Sequence, residues 1–323
     1  MKLFLYSLLI ILSFSFYSSY AQENITISGY ISDGSNGETL IGSNVYVVEL
    51  QKGASTNEYG FYSLSLPQGR YTLQYSYLGF ITQEIIVELF QNQKKDIELA
   101  TEASELTEIV ISSEAPNANV STNEMSVNKL DIGTIQKMPT LLGEVEILRS
   151  IQLLPGVSSV GEGASGFNVR GGSIDQNLVL LDEAPVYNSS HLFGFFSVFN
   201  PDAVKDVKLY KGGIPARYGG RLSSILDVRM KEGNKKNLAL NGGIGAIFSR
   251  LSVEAPIVKD KASFIIAGRR SYIDVLAQPF LNEDVEGSVL NFYDLTLKTN
   301  FDIDEKNTLF LSAYTGRDNF GFG

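Results

Sequence analysis

The 323-residue sequence predicts a mainly β protein, and three observations carry that prediction. First, charged residues make up only 19% of the chain, against 30 Gly, 16 Tyr and 19 Phe, a balance that leans towards strands and away from a helical bundle. Second, apolar and polar residues alternate with strand period in two regions, near residue 75 and from residue 237 onward. Third, turn dipeptides such as Asp33-Gly34 and Asn36-Gly37 break the early chain into short pieces. By length alone, roughly two domains are expected.

Composition also excludes function classes. Lys plus Arg total 26 against 36 Asp plus Glu, for a net charge of -10, so there is no cation surplus for nucleic-acid phosphates. With no cysteine, disulfide frameworks, thiolate metal sites and cysteine nucleophiles are impossible. With one histidine, His191, neither a multi-histidine metal site nor a two-histidine relay can be built. The sequence offers no nucleophile–base or metal constellation, so neither an enzyme nor a cofactor is expected.

Residues 1–21 read as a secretory signal peptide. Lys2 supplies a positive charge, Leu3 to Phe16 is almost wholly apolar, and Ser19-Tyr20-Ala21 offers small residues for cleavage after Ala21. The apolar core is short for a span of about 20 residues, the length an uncleaved anchor needs. No cysteine follows the cleavage site, so lipid attachment there is excluded. No later segment is long and apolar enough for a transmembrane helix. Membrane residence would therefore require a β-barrel.

Residues 22–101 read as a β-sandwich of about seven strands. From Gly69 to Gly79, Tyr71, Leu73, Tyr75 and Tyr77 face one way, while Arg70, Thr72, Gln74 and Ser76 face the other. Ile85-Ile86-Val87 and Ile97-Glu98-Leu99 supply further strands. The run Thr56-Asn57-Glu58-Tyr59-Gly60-Phe61-Tyr62, then Leu66-Pro67, Gly69-Arg70-Tyr71 and Leu78-Gly79-Phe80, resembles the carboxypeptidase-regulatory-like domain, an Ig/prealbumin-like sandwich. That name describes a fold. No zinc ligand set accompanies it, so peptidase activity is not expected, and a spacer or docking module is.

Residues 102–124 form a linker rich in Glu, Ser and Asn. Inside it lies Leu106-Thr107-Glu108-Ile109-Val110-Ile111, an apolar and β-branched heart. It suits pairing with an exposed strand of another protein. On pattern alone it could equally be the last strand of the sandwich or irregular linker.

From residue 125 to 234 a series of motifs follows. Leu141 to Leu154 reads as a helix with Val145, Leu148 and Ile151 on one stripe, stopped by Pro155-Gly156. Five glycines lie between 161 and 172, ending in Val169-Arg170-Gly171-Gly172. No Gly-Lys-Ser/Thr signature accompanies them, which argues against nucleotide binding. Leu178 to Leu181 is a strand with Asp182-Glu183-Ala184-Pro185 as its turn. Asn200-Pro201 reads as a capped helix start. Val207-Lys208-Leu209-Tyr210-Lys211-Gly212 and Ala216-Arg217-Tyr218-Gly219 complete the order.

Taken together, these pieces resemble the α+β plug of TonB-dependent outer-membrane receptors. Arg170, Gly171 and Gly172 fall on the family's "IRG" element, and Asp182 on "vlvDGvp". Lys211, Gly212, Arg217, Tyr218 and Gly219 fall on "iEvlkGp.sa.yG". Two departures stand out. Glu183-Ala184 replaces Gly-Val, and Ser223-Ser224 replaces a common Gly-Gly. The spacing also differs from starch-utilisation (SusC-type) receptors, which weighs against a SusD-like lipoprotein partner. The resemblance implies that Leu106 to Ile111 is a TonB box contacting TonB, which works with ExbB and ExbD. It further implies that Arg170 and Arg217 pair with carboxylates of a surrounding barrel. Asp182 is expected to form a turn. Tyr187 and His191, in a polar and aromatic loop, are candidates to face substrate; a packed or exposed loop histidine is the plainer alternative.

From 235 to 323 the alternation lengthens. Leu238, Leu240, Gly242 and Ile244 oppose Ala239, Asn241 and Gly243, and Leu251, Val253 and Ala255 oppose Arg250, Ser252 and Glu254. Leu295, Leu297, Thr299, Phe301 and Ile303 oppose Thr296, Lys298, Asn300, Asp302 and Asp304. One face suits outer-membrane lipid and the other a wet lumen. About five strands fit here, far below the roughly 22 of the large outer-membrane transporters. The expectation is a truncated transmembrane β-barrel, with a second soluble sandwich as its alternative. As a whole, the sequence points to an outer-membrane receptor for a scarce nutrient (siderophore, cobalamin, peptide or glycan) with its sandwich in the periplasm. The rival is a non-transporting envelope binding or signalling module. Serum raised against residues 22–100 separates the two on fractionated cells. A heat-modifiable outer-membrane band well above the size of 323 residues is expected, whereas a soluble periplasmic band at or below that size would leave the binding module.

Overall fold

The computed structural model describes residues 24–102, 126–138, 145–161, 165–245, 247–277, 289–304 and 307–321. They form two compact units, the first from residues 24–33 and 39–102, the second from 34–38 and the described residues from 126 onward. The signal peptide and the segment Leu106–Ile111 lie outside the described residues. Among the described residues, no helix is long and apolar enough to cross a membrane.

The first unit is a sandwich of eight strands: β1 (Asn24–Asp33), β2 (Asn44–Val47), β3 (Lys52–Ser55), β4 (Phe61–Pro67), β5 (Gly69–Ser76), β6 (Gln83–Leu89), β7 (Gln93–Lys94) and β8 (Ile97–Leu99). One sheet runs β4-β1-β7, with β8 also pairing β1, and the other runs β3-β2-β5-β6. The alternation in β5 is realised: Tyr71, Leu73 and Tyr75 are buried between the sheets. Ile27, Ile31, Val47, Leu89 and Leu99 complete that core. The Asn57–Gly60 turn explains its own sequence. Asn57 Oδ1 accepts the amides of Tyr59 at 2.9 Å and Phe61 at 3.0 Å. Gly60 sits at φ +73°, where a Cβ would also meet Thr39.

Two tyrosine hydroxyls bring polar atoms into this core. Tyr62 donates to the Lys95 carbonyl at 2.8 Å and stands 3.0 Å from the Tyr75 hydroxyl. Buried hydroxyls need such partners.

The second unit contains a five-stranded sheet in the order β13-β12-β17-β16-β9. These strands are β9 (Val127–Asp131), β12 (Asn177–Leu181), β13 (Ala184–Pro185), β16 (Val204–Tyr210) and β17 (Ser224–Met230). β12 and β17 run parallel in the middle, and every residue of β17 is buried. This is the mark of a strand covered on both faces. Helices α1 (Ile132–Gln136) and α2 (Ile147–Gln152) accompany the sheet. Ile147, Leu148 and Ile151 of α2 enter a core with Val169, Leu209, Leu226 and Val228. Two short antiparallel pairs complete the layer: β10 (Val157–Ser159) with β11 (Phe167–Val169), and β14 (Ser190–His191) with β15 (Phe196–Ser197).

Two sequence expectations change here. The described helix is shorter than Leu141–Leu154, and residues 139–144 lie outside the described residues. Asn200-Pro201 opens a single turn, not a helix. Asn200 Oδ1 caps the Asp202 amide at 3.0 Å, but Val204 is at once captured as the first residue of β16. Pairing with β17 outcompetes propagation of a one-turn nucleus.

A second five-stranded sheet is an antiparallel meander, β18 (Ala239–Ile244), β19 (Phe248–Val258), β20 (Ala262–Ser271), β21 (Val289–Asp302) and β22 (Thr308–Gly321), with α3 (Ile273–Ala277) between β20 and β21. Its faces divide as the alternation predicts. Leu240, Leu251, Ile266, Leu295 and Leu311 are exposed, while Ser252, Glu254, Arg269, Asp294, Lys298 and Asn300 are buried against the first sheet's layer.

Burial pushes the Tyr62 phenol far above its usual range and raises Tyr75 as well. Because the folded pKa is raised, this contribution to stability is complete below about pH 10 and declines as pH rises beyond it. Alkaline titration followed by tyrosinate absorbance should therefore show two late-titrating phenols that appear only as the sandwich unfolds. Tyr62→Phe should cost about 1–3 kcal/mol in urea denaturation, since it leaves the Lys95 carbonyl unpaired.

Candidate functional site

The site grows from the turn that joins β12 to β13. Asp182 and Glu183 both adopt positive φ, 45° and 71°. Two left-handed residues in a two-residue hairpin loop are the pattern that favours Asp-Gly. Here glutamate occupies the glycine position, at a cost glycine does not bear. The compensation is visible: Glu183 Oε1 accepts both Arg229 Nη1 and Nη2 at 3.2 Å. The first departure from the plug motif is thus matched by an arginine one strand away.

Asp182 is a turn former, as expected, and also more than that. Its Oδ1 accepts the Met230 amide at 2.9 Å. Its Oδ2 accepts from Ser312 Oγ at 2.5 Å and pairs with Lys298 Nζ at 3.0 Å. Ser312 and Lys298 belong to β22 and β21, so one turn carboxylate fastens the inner layer to the meander. Lys298 also donates to the Met230 carbonyl at 3.1 Å.

Similar contacts recur along the same seam. Arg250 pairs with Asp202 at 3.0 Å, Lys235 with Asp302 at 2.9 Å and Lys231 with Glu254 at 3.9 Å. Asn300 donates to Glu232 Oε2 at 3.3 Å. Arg269 and Asp294 are both fully buried and 2.6 Å apart, and Arg269 also donates to the Ser197 carbonyl at 2.7 Å. An apolar patch around Ile265, Ala267 and Tyr314 sits among these charges.

The remaining motif residues cluster at the opposite end of the inner sheet. Arg170 (φ 49°) and Gly171 (φ 81°) make a left-handed pair. A Cβ on Gly172 would collide with the Ser223 side chain, whose hydroxyl donates to the Val169 carbonyl at 2.8 Å. Ser224 Oγ in turn donates to Asn177 Oδ1 at 2.7 Å. The second departure, Ser223-Ser224, therefore supplies two cross-links that a Gly-Gly pair lacks. Lys211 Nζ donates to the Pro155 carbonyl at 2.8 Å, and its pKa is lowered by burial and by the neighbouring Arg170. Tyr218 donates to Asp227 Oδ2 at 3.0 Å. Arg217 lies 4.7 Å from the Tyr218 ring centroid. Gly212 sits beside the Arg170 guanidinium, and Gly219 has open space around it.

Among the described residues the Arg170 side chain bonds Ser126 Oγ, next to β9, at 3.3 Å. The two residues proposed to face substrate separate sharply. Tyr187 is 89% exposed, whereas His191 is 3% exposed and packed against β21 and β22. Sequence reasoning missed Glu146, Arg229, Arg269 and Asp294. For Arg229, Arg269 and Asp294 the signal was charge at inward positions of otherwise regular strands, which marks burial but not the partner.

Asp182→Ala should strand the Lys298 ammonium and cost about 3–5 kcal/mol. In a double-mutant cycle with Lys298→Met, measured by urea denaturation, the two losses should be clearly less than additive. Additive losses would mean that the pair contributes nothing beyond its separate backbone contacts.

Comparison with known proteins places these elements. The CarboxypepD_reg-like domain model matches residues 27–111, and the TonB-dependent Receptor Plug Domain model matches residues 120–224. The first match runs through Ile111 and so includes the candidate TonB box. TonB-dependent receptor P3 of Formosa agariphila is 35% identical over 91 residues, 28% of this chain and 9% of that protein. Among solved structures, the siderophore receptor PirA of Pseudomonas aeruginosa is 16% identical with a TM-score of 0.42, covering 60% of this chain and 36% of its own. PirA of Acinetobacter baumannii is 15% identical with a TM-score of 0.44, covering 60% and 32%. The chain spans less than two thirds of the length of each of these relatives. The chain is mainly β and carries a carboxypeptidase-regulatory-like domain followed by a TonB-dependent receptor plug domain.

Proposed function

We propose that this chain serves a TonB-dependent outer-membrane transporter that takes up a scarce nutrient. The observation that supports this most is the plug domain, residues 120–224, folded on the polar face of a strand meander whose other face is apolar and exposed. A lipid-facing strand surface backed by charged residues is what an outer-membrane barrel requires.

The chemistry of the seam fits a plug that must move. Ion pairs and hydrogen bonds exchange readily with water, whereas a continuous apolar interface would resist wetting. In this reading the nutrient meets the plug on the external side, near exposed Tyr187. Leu106 to Ile111 is then taken by TonB as an added strand. TonB, with ExbB and ExbD, supplies work that the outer membrane cannot generate. The sandwich hangs in the periplasm. Siderophore, cobalamin, peptide and glycan remain the substrate classes, and no catalytic role is assigned.

The reach of the sandwich match through Ile111 favours one rival: Leu106 to Ile111 as a closing strand of that domain, in a passive envelope binding module. Deleting Leu106–Ile111 in the native gene separates the two. A transporter should keep its level and location in the outer membrane yet lose the growth on limiting nutrient that the intact gene supports, together with capture by purified TonB carboxy-terminal domain. Unchanged growth and no TonB capture by the intact protein would sink the transporter reading.

A further inference from the structure

The β14–β15 hairpin is held differently at its base and at its tip. At the base, Ser197 is fully buried. Its amide and hydroxyl reach Glu146 Oε1 at 2.9 and 3.3 Å, and its carbonyl takes the Arg269 guanidinium at 2.7 Å. Arg269 and Asp294 behind it have no side-chain exposure.

At the tip the single histidine makes every contact its ring allows. His191 Nδ1 lies 3.1 Å from both carboxylate oxygens of Asp318. Its Nε2 lies 3.0 Å from the Tyr314 hydroxyl and 3.4 Å from Asp294 Oδ2. Its ring stacks on Phe292, with centroids 4.5 Å apart and planes within 11°. The Leu192 amide adds a bond to Asp318 Oδ1 at 3.2 Å. Among the described residues the Asp318 side chain is 38% exposed, unlike the groups at the base.

The next two residues are strained. Leu192 and Phe193 take φ 47° and 59°, and consecutive left-handed residues other than glycine persist only where their surroundings hold them. Phe193 is 75% exposed, with its ring edge-on to Phe320 at 4.9 Å. A strained turn, with Leu192 buried beside Phe196, Phe248 and Phe292 and Phe193 exposed, therefore adjoins a buried histidine that bonds Asp318.

We propose that His191 is a positioning residue: it latches the Leu192–Phe193 turn to β21 and β22, and when that latch opens Leu192 leaves its seat beside Phe196, Phe248 and Phe292 and the turn moves about Ser197. Its purpose rests on the transporter reading, since a ligand gripping Phe193 would pull on His191. Its existence does not. Solvent competes first for Asp318, the His191 contacts go with it, and the left-handed pair relaxes to ordinary φ. The Ser197 base, with no water access, stays bound.

Hydrogen–deuterium exchange on the purified full-length protein in detergent tests this. His191→Ala and His191→Phe should both speed exchange at residues 190–195 at least tenfold, with Tyr187→Ala as an unaffected control. The phenylalanine variant keeps the stack on Phe292 but offers no ring nitrogen. Peptides from β12, β17 and the sandwich should be unchanged. Asp318→Asn should give a smaller increase confined to the same peptides, and serves if the His191 variants fold poorly. Wild-type protection in His191→Phe would overturn the latch and leave His191 as a ring that fills space. Exchange that rises across the whole plug would overturn it too, by making His191 a general core residue. Neither result depends on TonB capture, so failure here is separable from failure of the transporter reading.

Discussion

The structure of the second unit depends on one constraint: the buried face of the β18–β22 meander carries charge. Arg269, Asp294 and Lys298 cannot be left dry and unpaired, because an isolated buried ion costs several kcal/mol (about that per ion). Every element packed on that face must therefore supply counter-charges or hydrogen bonds at set positions. Asp182, Asp202, Glu232, the Ser197 carbonyl and His191 do so. The loops of the inner layer are shaped by this demand as much as by their own propensities.

That constraint explains several local oddities. Asp182 holds a left-handed backbone because its carboxylate must reach both Met230 and Lys298. Glu183 tolerates φ 71° because Arg229 holds its carboxylate. Glu146 opens α2 without capping it, since its side chain is committed to Ser197. In each case a small backbone or capping penalty is offset by a polar bond, largely buried for Asp182 and Glu146 and half-exposed for Glu183.

The two layers are also held to different degrees. Within the inner sheet, β17 is buried throughout, and its Leu226 and Val228 share a core with Ile147, Leu148 and Leu209. Across the seam, apolar contact is limited to a patch, and the rest is ion pairs and amides, some partly exposed such as Lys235–Asp302 and some fully buried such as Arg269–Asp294. Cohesion inside the layer and exchangeable contacts outside it suit a domain that moves as a body within its surroundings. In the sandwich the Tyr62–Tyr75 hydroxyl pair is a satisfied polar inclusion, as are buried Ser43 and Thr56.

Strand period was legible in the sequence because alternation is local and needs no partner. Tyr71, Leu73 and Tyr75 on one side of β5, and Leu295 and Phe301 against Lys298 and Asn300 in β21, were readable by spacing alone. The ordered plug motifs were readable for the same reason, as were the turn at Asp182 and the absence of any cysteine or second histidine. Pairing was not legible. That β12 lies parallel to β17, that Asn200-Pro201 yields to β16 after one turn, and that Arg170 bonds Ser126 all depend on residues far away in the chain. His191 is the clearest case. A polar and aromatic loop reads as exposed, and its neighbours Tyr187 and Phe193 are exposed. His191 itself is buried only because Asp318 and Tyr314, more than a hundred residues later, converge on its two ring nitrogens. Periodicity fixes which face of a strand is polar, whereas only three-dimensional packing selects which opposite charge will answer it.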